Sequence, residues 1–343
     1  MDIQQRILAF VQLGQHLSQA LEEEENPEQN LHGVIRRAHH ENGWFDEKSV
    51  RFALCQWAEL LTAANLENWL SHYPELHQER EAKKVGLILA GNVPLVGLHD
   101  LLCVLLAGHT VVAKTSSKDR QLVTYIINTL LAIEPAFAPK VLLTEDRMVG
   151  IEAMIATGSN NSTGYFEYYF GKYPHIIRKN RSSVAVLDGS ESEAELSALG
   201  EDIFRYYGLG CRNVSKLLVP PNYDFDPLFQ AIFSWKEVLN NPKYFNNYEY
   251  NKTIYLLNND PMIENGFVVL KEDEHWVSPV GMLFYETVSN PEAVNQHLTK
   301  QQNALQCVVG HNHLSFGVAQ KPALNDYADG VDTMRFLVNL DTQ

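Results

Sequence analysis

The chain has 343 residues, 45% hydrophobic and 20% charged, a composition too apolar for a disordered polypeptide and a length that suits two domains or three. Lys and Arg number 27 against 42 Asp and Glu, a net charge of −15, which argues against nucleic-acid or anionic-membrane partners but leaves room for a local basic pocket. The four cysteines, Cys55, Cys103, Cys211 and Cys307, are far apart, so neither a zinc spacing nor a disulfide framework is present and a cytoplasmic protein is expected.

Met1–Leu21 carries Ile3, Ile7, Phe10, Val11 and Leu17 at helical spacing, an amphipathic helix without the continuous apolar core of a signal peptide. Glu22–Glu25 and Asn26-Pro27 mark a solvated stop. A further helix is expected near Lys48–Trp69, burying Phe52, Leu54, Trp57, Leu60 and Leu61, so residues 1–80 read as an N-terminal helical segment. At Lys84 the texture changes. Val85–Ala90 reads as a short buried strand and Gly91-Asn92-Val93-Pro94 as a loop. A helix with Leu98, Leu101, Leu102, Leu105 and Leu106 follows, closed by Gly108 before the strand Thr110–Ala113. Strand, helix and strand in about 30 residues make a βαβ unit, and fully buried strands point to a parallel sheet.

The alternation continues through a helix at Leu122–Ile133, strands at Val141–Leu143 and Ala153–Ala156, and a helix at Thr163–Phe170. His175–Ile177 and Ser183–Leu187 read as two more strands, and the polar Gly189–Glu195 as a hinge. A helix over Glu195–Tyr207 then leads to Gly208-Leu209-Gly210-Cys211 and the strand Lys216–Val219, with mixed α/β texture to about residue 315. The expected organisation is α/β: an open parallel-sheet domain over 81–188, a second α/β domain over 189–315, and a C-terminal segment, 316–343. No window approaches the ~20 apolar residues of a membrane span.

Neither G-x-G-x-x-G nor G-x-x-x-x-G-K-[ST] occurs. In open α/β sheets, however, ligands sit beyond the carboxyl ends of strands, and Asn92, Lys114 and Gly158-Ser159 all follow strands. Each has an ordinary reading: Asn92 as a turn residue, Lys114 as a surface lysine, Gly158-Ser159 as a plain strand-to-helix loop. The functional alternative is that the Gly/Ser loop opening a helix binds a pyrophosphate through its N–H groups. Cys211 stands apart. Gly-Leu-Gly before it permits close approach of a substrate, and Arg212 after it favours the thiolate. The other cysteines sit in apolar runs and read as small buried hydrophobes. His311-x-His313 lacks a third ligand, so no metal is expected. Serine-hydrolase and zinc-peptidase motifs are absent.

Five segments in order, Leu89-Ala90-Gly91-Asn92-Val93-Pro94, Val112-Ala113-Lys114-Thr115-Ser116-Ser117, Ala156-Thr157-Gly158-Ser159, Gly208-Leu209-Gly210-Cys211 and Ser278-Pro279-Val280, resemble the aldehyde dehydrogenase superfamily. They are most similar to its acyl-CoA reductase branch, the LuxC-like reductases, over roughly residues 85–320. The resemblance implies an aldehyde-dehydrogenase-like fold, with 81–188 as the nucleotide-binding domain, 189–315 as the catalytic thiol domain and 316–343 returning to the first domain. By position it implies Cys211 as the catalytic thiol, Asn92 as the amide that stabilises the oxyanion, and Lys114 as the lysine on the adenosine ribose of NAD(P). Ser116 lies in that same loop, and Gly158 and Ser159 match the loop beside the cofactor phosphates. NAD-preferring relatives carry a glutamate where this chain has Ser117 followed by Lys118, which favours NADP(H) over NAD(H).

Two departures matter. Hydrolytic members carry a glutamate that activates water, whereas the matching region here is Ile177-Arg178-Lys179-Asn180-Arg181, so coenzyme A is the better exchange partner. The glutamate that holds the nicotinamide ribose falls at His275, one residue from Glu274. The implied activity is reduction of a small-molecule acyl-CoA to the aldehyde by NAD(P)H, with coenzyme A leaving and no nucleic acid or membrane as partner. The rivals are a reductase of acyl phosphates or aldehydes in the same superfamily, and a non-catalytic protein that binds a nucleotide or an acyl group. The chain is shorter than typical aldehyde dehydrogenases, with the oligomerisation arm among the missing length, so assembly into a homo-oligomer is left open.

Overall fold

In the computed structural model, which describes residues 1–22, 30–78, 80–158 and 160–340, the N-terminal amphipathic stripe forms α1 (Ile3–Glu22) and buries Ile3, Ile7, Phe10, Leu13 and Leu17. Then α2 (Leu31–Glu41) begins at Asn30, whose side chain accepts the Gly33 N–H. The single helix expected over Lys48–Trp69 is two, α3 (Glu47–Leu60) and α4 (Ala63–Leu70). The break falls at Thr62, which is extended (φ −101°, ψ 156°) and caps α4 by accepting the Asn65 N–H. The buried face of α3 runs through Val50, Leu54 and Ala58, while Phe52, Trp57 and Leu60 are only half-buried.

The chain divides into two units, Met1–Lys179 with Ala323–Gln343, and Asn180–Pro322. In the first, β1 (Lys84–Ile88), α5 (Leu98–Leu106), β2 (Thr110–Lys114), α6 (Arg120–Ile133), β3 (Val141–Leu143), β4 (Ala153–Thr157), α7 (Asn160–Phe170) and β5 (His175–Arg178) follow in turn. The strands form one parallel sheet in the order β3-β2-β1-β4-β5. Every residue of α5 but His99 is buried, because it lies against β1 and β2 on one side and α1 on the other. The strand order reverses between β1 and β4, and at such a switch point the two crossover chains depart in opposite directions, leaving a crevice beyond the carboxyl ends of both strands.

In the second unit, β6 (Ser182–Val186), α8 (Glu193–Phe204), β7 (Val214–Val219), α9 (Asp226–Ala231), α10 (Pro242–Leu257), β8 (Ile263–Glu264), β9 (Val269–Glu272), β10 (Met282–Thr287), α11 (Pro291–Gln301) and β11 (Leu305–Val309) build a sheet ordered β11-β6-β7-β10-β9-β8. All its pairs are parallel except β8 with β9. The boundary thus lies at Lys179/Asn180 and not at 188/189, because β6 pairs with β7 and β11. The polar 189–195 segment is the loop into α8, where Ser192 and Glu195 form a reciprocal capping box, and it does not join the units. The return to the first unit starts at Ala323, later than the expected 316, and carries α12 (Thr333–Val338) with Met334 and Leu337 buried. Among the described residues, no helix is long and apolar enough to cross a membrane.

Candidate active site

The first sheet brings six of the expected site residues to its carboxyl edge. Asn92 lies in the loop after β1, Lys114 ends β2, Ser116, Ser117 and Lys118 follow it, and Gly158 follows β4 across the switch point. Asn92, Lys114, Ser117 and Lys118 are exposed; Ser116 and Gly158 are half-buried. Ser159 lies outside the described residues. The loops after β1 and β2 touch at Gly91, where an added Cβ would stand 2.5 Å from Ser116 Oγ and 2.6 Å from Ser116 Cβ, so only glycine fits. Ser116 Oγ in turn accepts the Lys118 N–H at 3.2 Å.

Asp119 joins the same two loops. Its position one residue before α6 reads as an ordinary helix cap, yet its side chain caps nothing in α6. Instead Oδ2 accepts the N–H of Leu95 at 2.7 Å, holding Leu95 in a left-handed conformation (φ 57°) three residues past Asn92. Asp119 is buried, and its Oδ1 has no hydrogen-bond partner, so burial pushes the carboxyl well above its ordinary 3.8. A raised folded-state value means that the native state binds the extra proton, and stability from this group falls as pH rises from about 4. Asp119→Asn keeps the acceptor for Leu95 without the proton. It is expected to stabilise the protein at pH 7 relative to wild type, with the advantage shrinking toward pH 4 in denaturant titrations. An advantage that is constant with pH would mean that Asp119 is ionised in the native state.

In the second unit, Cys211 is half-exposed, in the connection from α8 to β7. Three left-handed residues, Tyr206 (φ 55°), Tyr207 (φ 59°) and Gly208 (φ 76°), turn the chain after α8 and end the helix that the sequence extends to Tyr207. Non-glycine residues pay for that conformation, so something must hold it. The holder is Asn213, which is buried. Its Nδ2 donates to the carbonyls of Asp202 (3.2 Å), Ile203 (3.2 Å) and Arg205 (2.8 Å) at the end of α8. Its Oδ1 accepts the Gly210 N–H at 2.8 Å, and its own N–H returns to the Gly210 carbonyl at 3.1 Å. Cys211 is thereby enclosed in a closed turn. The Cys211 carbonyl accepts from Ser183 Oγ at 3.0 Å, and Arg212 Nε donates to the Ala319 carbonyl. The segment carrying Ala319 is fixed by Asp202, which accepts the N–H groups of Gly317 (2.7 Å) and Ala319 (2.9 Å) and whose carboxyl burial pushes up to about 6.

The remaining candidates find structural duties. Arg178, in the stretch where hydrolytic relatives carry their glutamate, is buried in an ion pair with Asp100 of α5 and donates to Thr333 Oγ1 at 2.8 Å. His275 is exposed, with Nδ1 on Asp273 Oδ1 at 2.6 Å, while the neighbouring Glu274 gives its carbonyl to the buried Lys216, whose amine also pairs with Glu286. His311 faces carboxylates on both ring nitrogens, Asp188 at 2.9 Å and Glu195 at 3.1 Å, and the Asp188 hydrogen bond raises its pKa. The other cysteines differ from their uniform reading: Cys103 is buried, Cys307 is half-buried against Ser183 Oγ at 3.0 Å, and Cys55 is exposed on α3.

The sequence model described as Acyl-CoA reductase (LuxC) matches residues 47–220, a span that contains Asn92, Lys114 and Cys211. The chain is 21% identical over 230 residues to a long-chain acyl-protein thioester reductase 2 from Photobacterium leiognathi, a match that covers 61% of this chain and 48% of that protein. The chain therefore spans about half the length of that curated relative. Aldehyde dehydrogenase 21 from Physcomitrella patens superposes with a TM-score of 0.67 at 12% identity, over 99% of this chain and 84% of its own. An NADP-dependent glyceraldehyde-3-phosphate dehydrogenase from Bacillus halodurans superposes with a TM-score of 0.62 at 14% identity, over 90% and 74%. The two structures share an aldehyde-dehydrogenase fold with this chain, and with more than half of its sequence matched by the family, the chain belongs to the acyl-CoA reductase (LuxC) family.

Proposed function

We propose that this protein reduces an acyl thioester to the aldehyde through a thioester on Cys211, with NADPH preferred to NADH. The observation that carries the reading is the closed turn around Cys211, which Asn213 holds from a buried position without using the thiol. A strained loop pinned by an independent network fixes where a nucleophile stands. The residues at the carboxyl edge of the first sheet fit a phosphorylated dinucleotide: Lys114 and Lys118 are exposed beside a switch-point crevice, and neither is in an ion pair among the described residues. Ser117 leaves no carboxylate to oppose a ribose phosphate.

The Cys211 thiolate adds to the thioester carbonyl, and the carbonyl oxygen takes up negative charge. Expulsion of the coenzyme A sulfur, which leaves as the thiol after protonation, restores the carbonyl on Cys211. A bound reduced nicotinamide supplies the hydride. Hydride addition leaves the negative charge on the oxygen, and its collapse re-forms the carbonyl as the carbon–sulfur bond breaks, which frees the aldehyde and restores the Cys211 thiolate. Asn92 donates its amide to the oxygen while it is charged. The name of the curated relative favours a second donor, an acyl group carried on a protein, for which the exchange at Cys211 is the same.

A panel of acyl-CoAs of rising chain length, with NADPH or NADH followed by nicotinamide absorbance, tests the proposal. Cofactor oxidation with stoichiometric release of coenzyme A supports it. Turnover confined to acyl phosphates would assign the chain to that substrate, and labelling of Cys211 without turnover under any cofactor would make it a binding protein. In the same assay Asn92→Ala is expected to slow acylation by about 10²–10³-fold, because a preorganised donor is lost when charge develops. Cofactor affinity and Tm should stay near wild type, since Asn92 is exposed and the loop is held through Leu95 and Asp119. Normal acylation with lowered stability would leave Asn92 as a turn former.

A further inference from the structure

A cavity of about 760 Å³ opens at the other edge of the first sheet, where its strands begin. Ala82, His109 and Lys140, which lead into β1, β2 and β3, form part of its wall, and Arg6 of α1, His77 and Arg80 are among its polar lining. This is the amino edge, opposite the loops that carry Asn92, Lys114 and Gly158.

Cations gather here in a chain of net charge −15. Arg6 is 8% exposed, yet it is in no ion pair among the described residues; its Nε and Nη1 donate to the carbonyls of Asp2 and Leu106. Among the described residues Arg80 donates to the carbonyls of Val338 (2.9 Å) and Glu75 (2.7 Å), its charge helps to lower the Glu75 carboxyl, and its buried Nε has no acceptor. Each guanidinium has five N–H donors and spends two on neutral oxygens. Burial depresses Arg6, Asp2 counters that, and the charge of Arg80 depresses it further, so the two guanidiniums feel each other. Lys140 Nζ has a single long contact, 3.4 Å to the Gly108 carbonyl. Among the described lining residues the one carboxylate is that of Asp2.

Tying helix ends explains each arginine singly: Leu106 closes α5 and Val338 closes α12. It does not explain why two guanidiniums, a lysine and His77 converge on one space. Three cations at one cavity, whose lining offers the single carboxylate of Asp2 against them, favour an added anion. We infer that this cavity binds a small phosphorylated anion, held by Arg6, Arg80 and Lys140. Guanidinium forks match phosphate oxygens, two positive charges suit a dianion, and the volume admits the carrier of a phosphomonoester as well as phosphate itself.

Calorimetric titration of the full chain at constant ionic strength tests this, using inorganic phosphate and ribose 5-phosphate, each with and without saturating NADPH. One site is expected, with affinity indifferent to NADPH. Tighter binding of ribose 5-phosphate identifies a phosphomonoester site, and equal binding identifies a site for free phosphate. Arg80→Gln should weaken binding by about tenfold or more, the loss of one charge-assisted contact. Because Arg80 also ties Val338, Lys140→Gln is the second variant; it should weaken binding with Tm unchanged in the absence of phosphate. No heat at millimolar phosphate, displacement by NADPH, or undiminished binding in Lys140→Gln would each overturn the inference.

Discussion

Cys211→Ala is expected to lower aldehyde production by about 10⁴-fold or more and to abolish acyl-enzyme formation, with Tm close to wild type. The size follows from removing a nucleophile that no other group replaces. Retention of the fold follows from where the loop is held. Asn213 bonds to backbone groups of Gly210, Asp202, Ile203 and Arg205, and Ser183 bonds to the backbone carbonyl of residue 211, so none of these contacts uses the sulfur. The other cysteines make the control. Cys55→Ala, on an exposed face, should change nothing. Cys103→Ala should cost stability, since the thiol is fully buried and touches His99 Nδ1 at 3.8 Å, but the folded fraction should turn over normally. Intact-mass detection of the acyl adduct separates the two effects. A Cys211→Ala protein that still takes up one acyl group per chain would sink the covalent mechanism.

Asn213 is what periodicity leaves out. Asn213 sits two residues from the thiol, and nothing in Arg212-Asn213-Val214 distinguishes it from a loop asparagine. Its role is visible only once the end of α8 is folded back beside it. Asp119 is hidden for the same reason: before α6 it reads as a cap, and only the packing of two loops turns its carboxylate to Leu95. By contrast, the strands of the first sheet and the edge on which Asn92, Lys114 and Gly158 lie are legible from short buried apolar runs ended by polar residues, because strand period and strand length are local properties. Sheet membership is not local. Ser182–Val186 is the same kind of buried run as His175–Arg178, and no local signal tells that one completes the first sheet while the other enters the second. That is why the expected boundary at 188/189 falls one strand too late.

Arg178→Gln is expected to destabilise the first unit by about 3–5 kcal/mol, the usual cost of leaving one member of a buried ion pair without its partner. Arg178 ends β5, in register with Thr157 of β4, and its guanidinium passes to Asp100 on α5 and Thr333 at the start of α12. Both charged side chains are almost fully buried, and Arg178 Nε and Asp100 Oδ1 have no further partner, so the pair has no solvent to fall back on. Burial lowers the Arg178 pKa, but the charge and hydrogen bond of Asp100 more than offset it, and the arginine stays a cation at every working pH. Asp100→Asn should cost a similar amount by stranding that cation. The double variant Arg178→Met with Asp100→Leu should recover most of the loss, because a well-packed apolar pair avoids the desolvation that the ion pair must offset. The same geometry bears on the chemistry. A glutamate at 178, within the stretch that by resemblance matches the glutamate segment of hydrolytic relatives, would meet the Asp100 carboxylate in a buried space, so Arg178→Glu should fail to fold. Chemical denaturation of the single and double variants, with coenzyme A exchange measured on the folded fraction, checks both statements. Equal stability of Arg178→Gln and wild type, or normal stability with lost exchange, would move Arg178 from the core of the fold into the reaction.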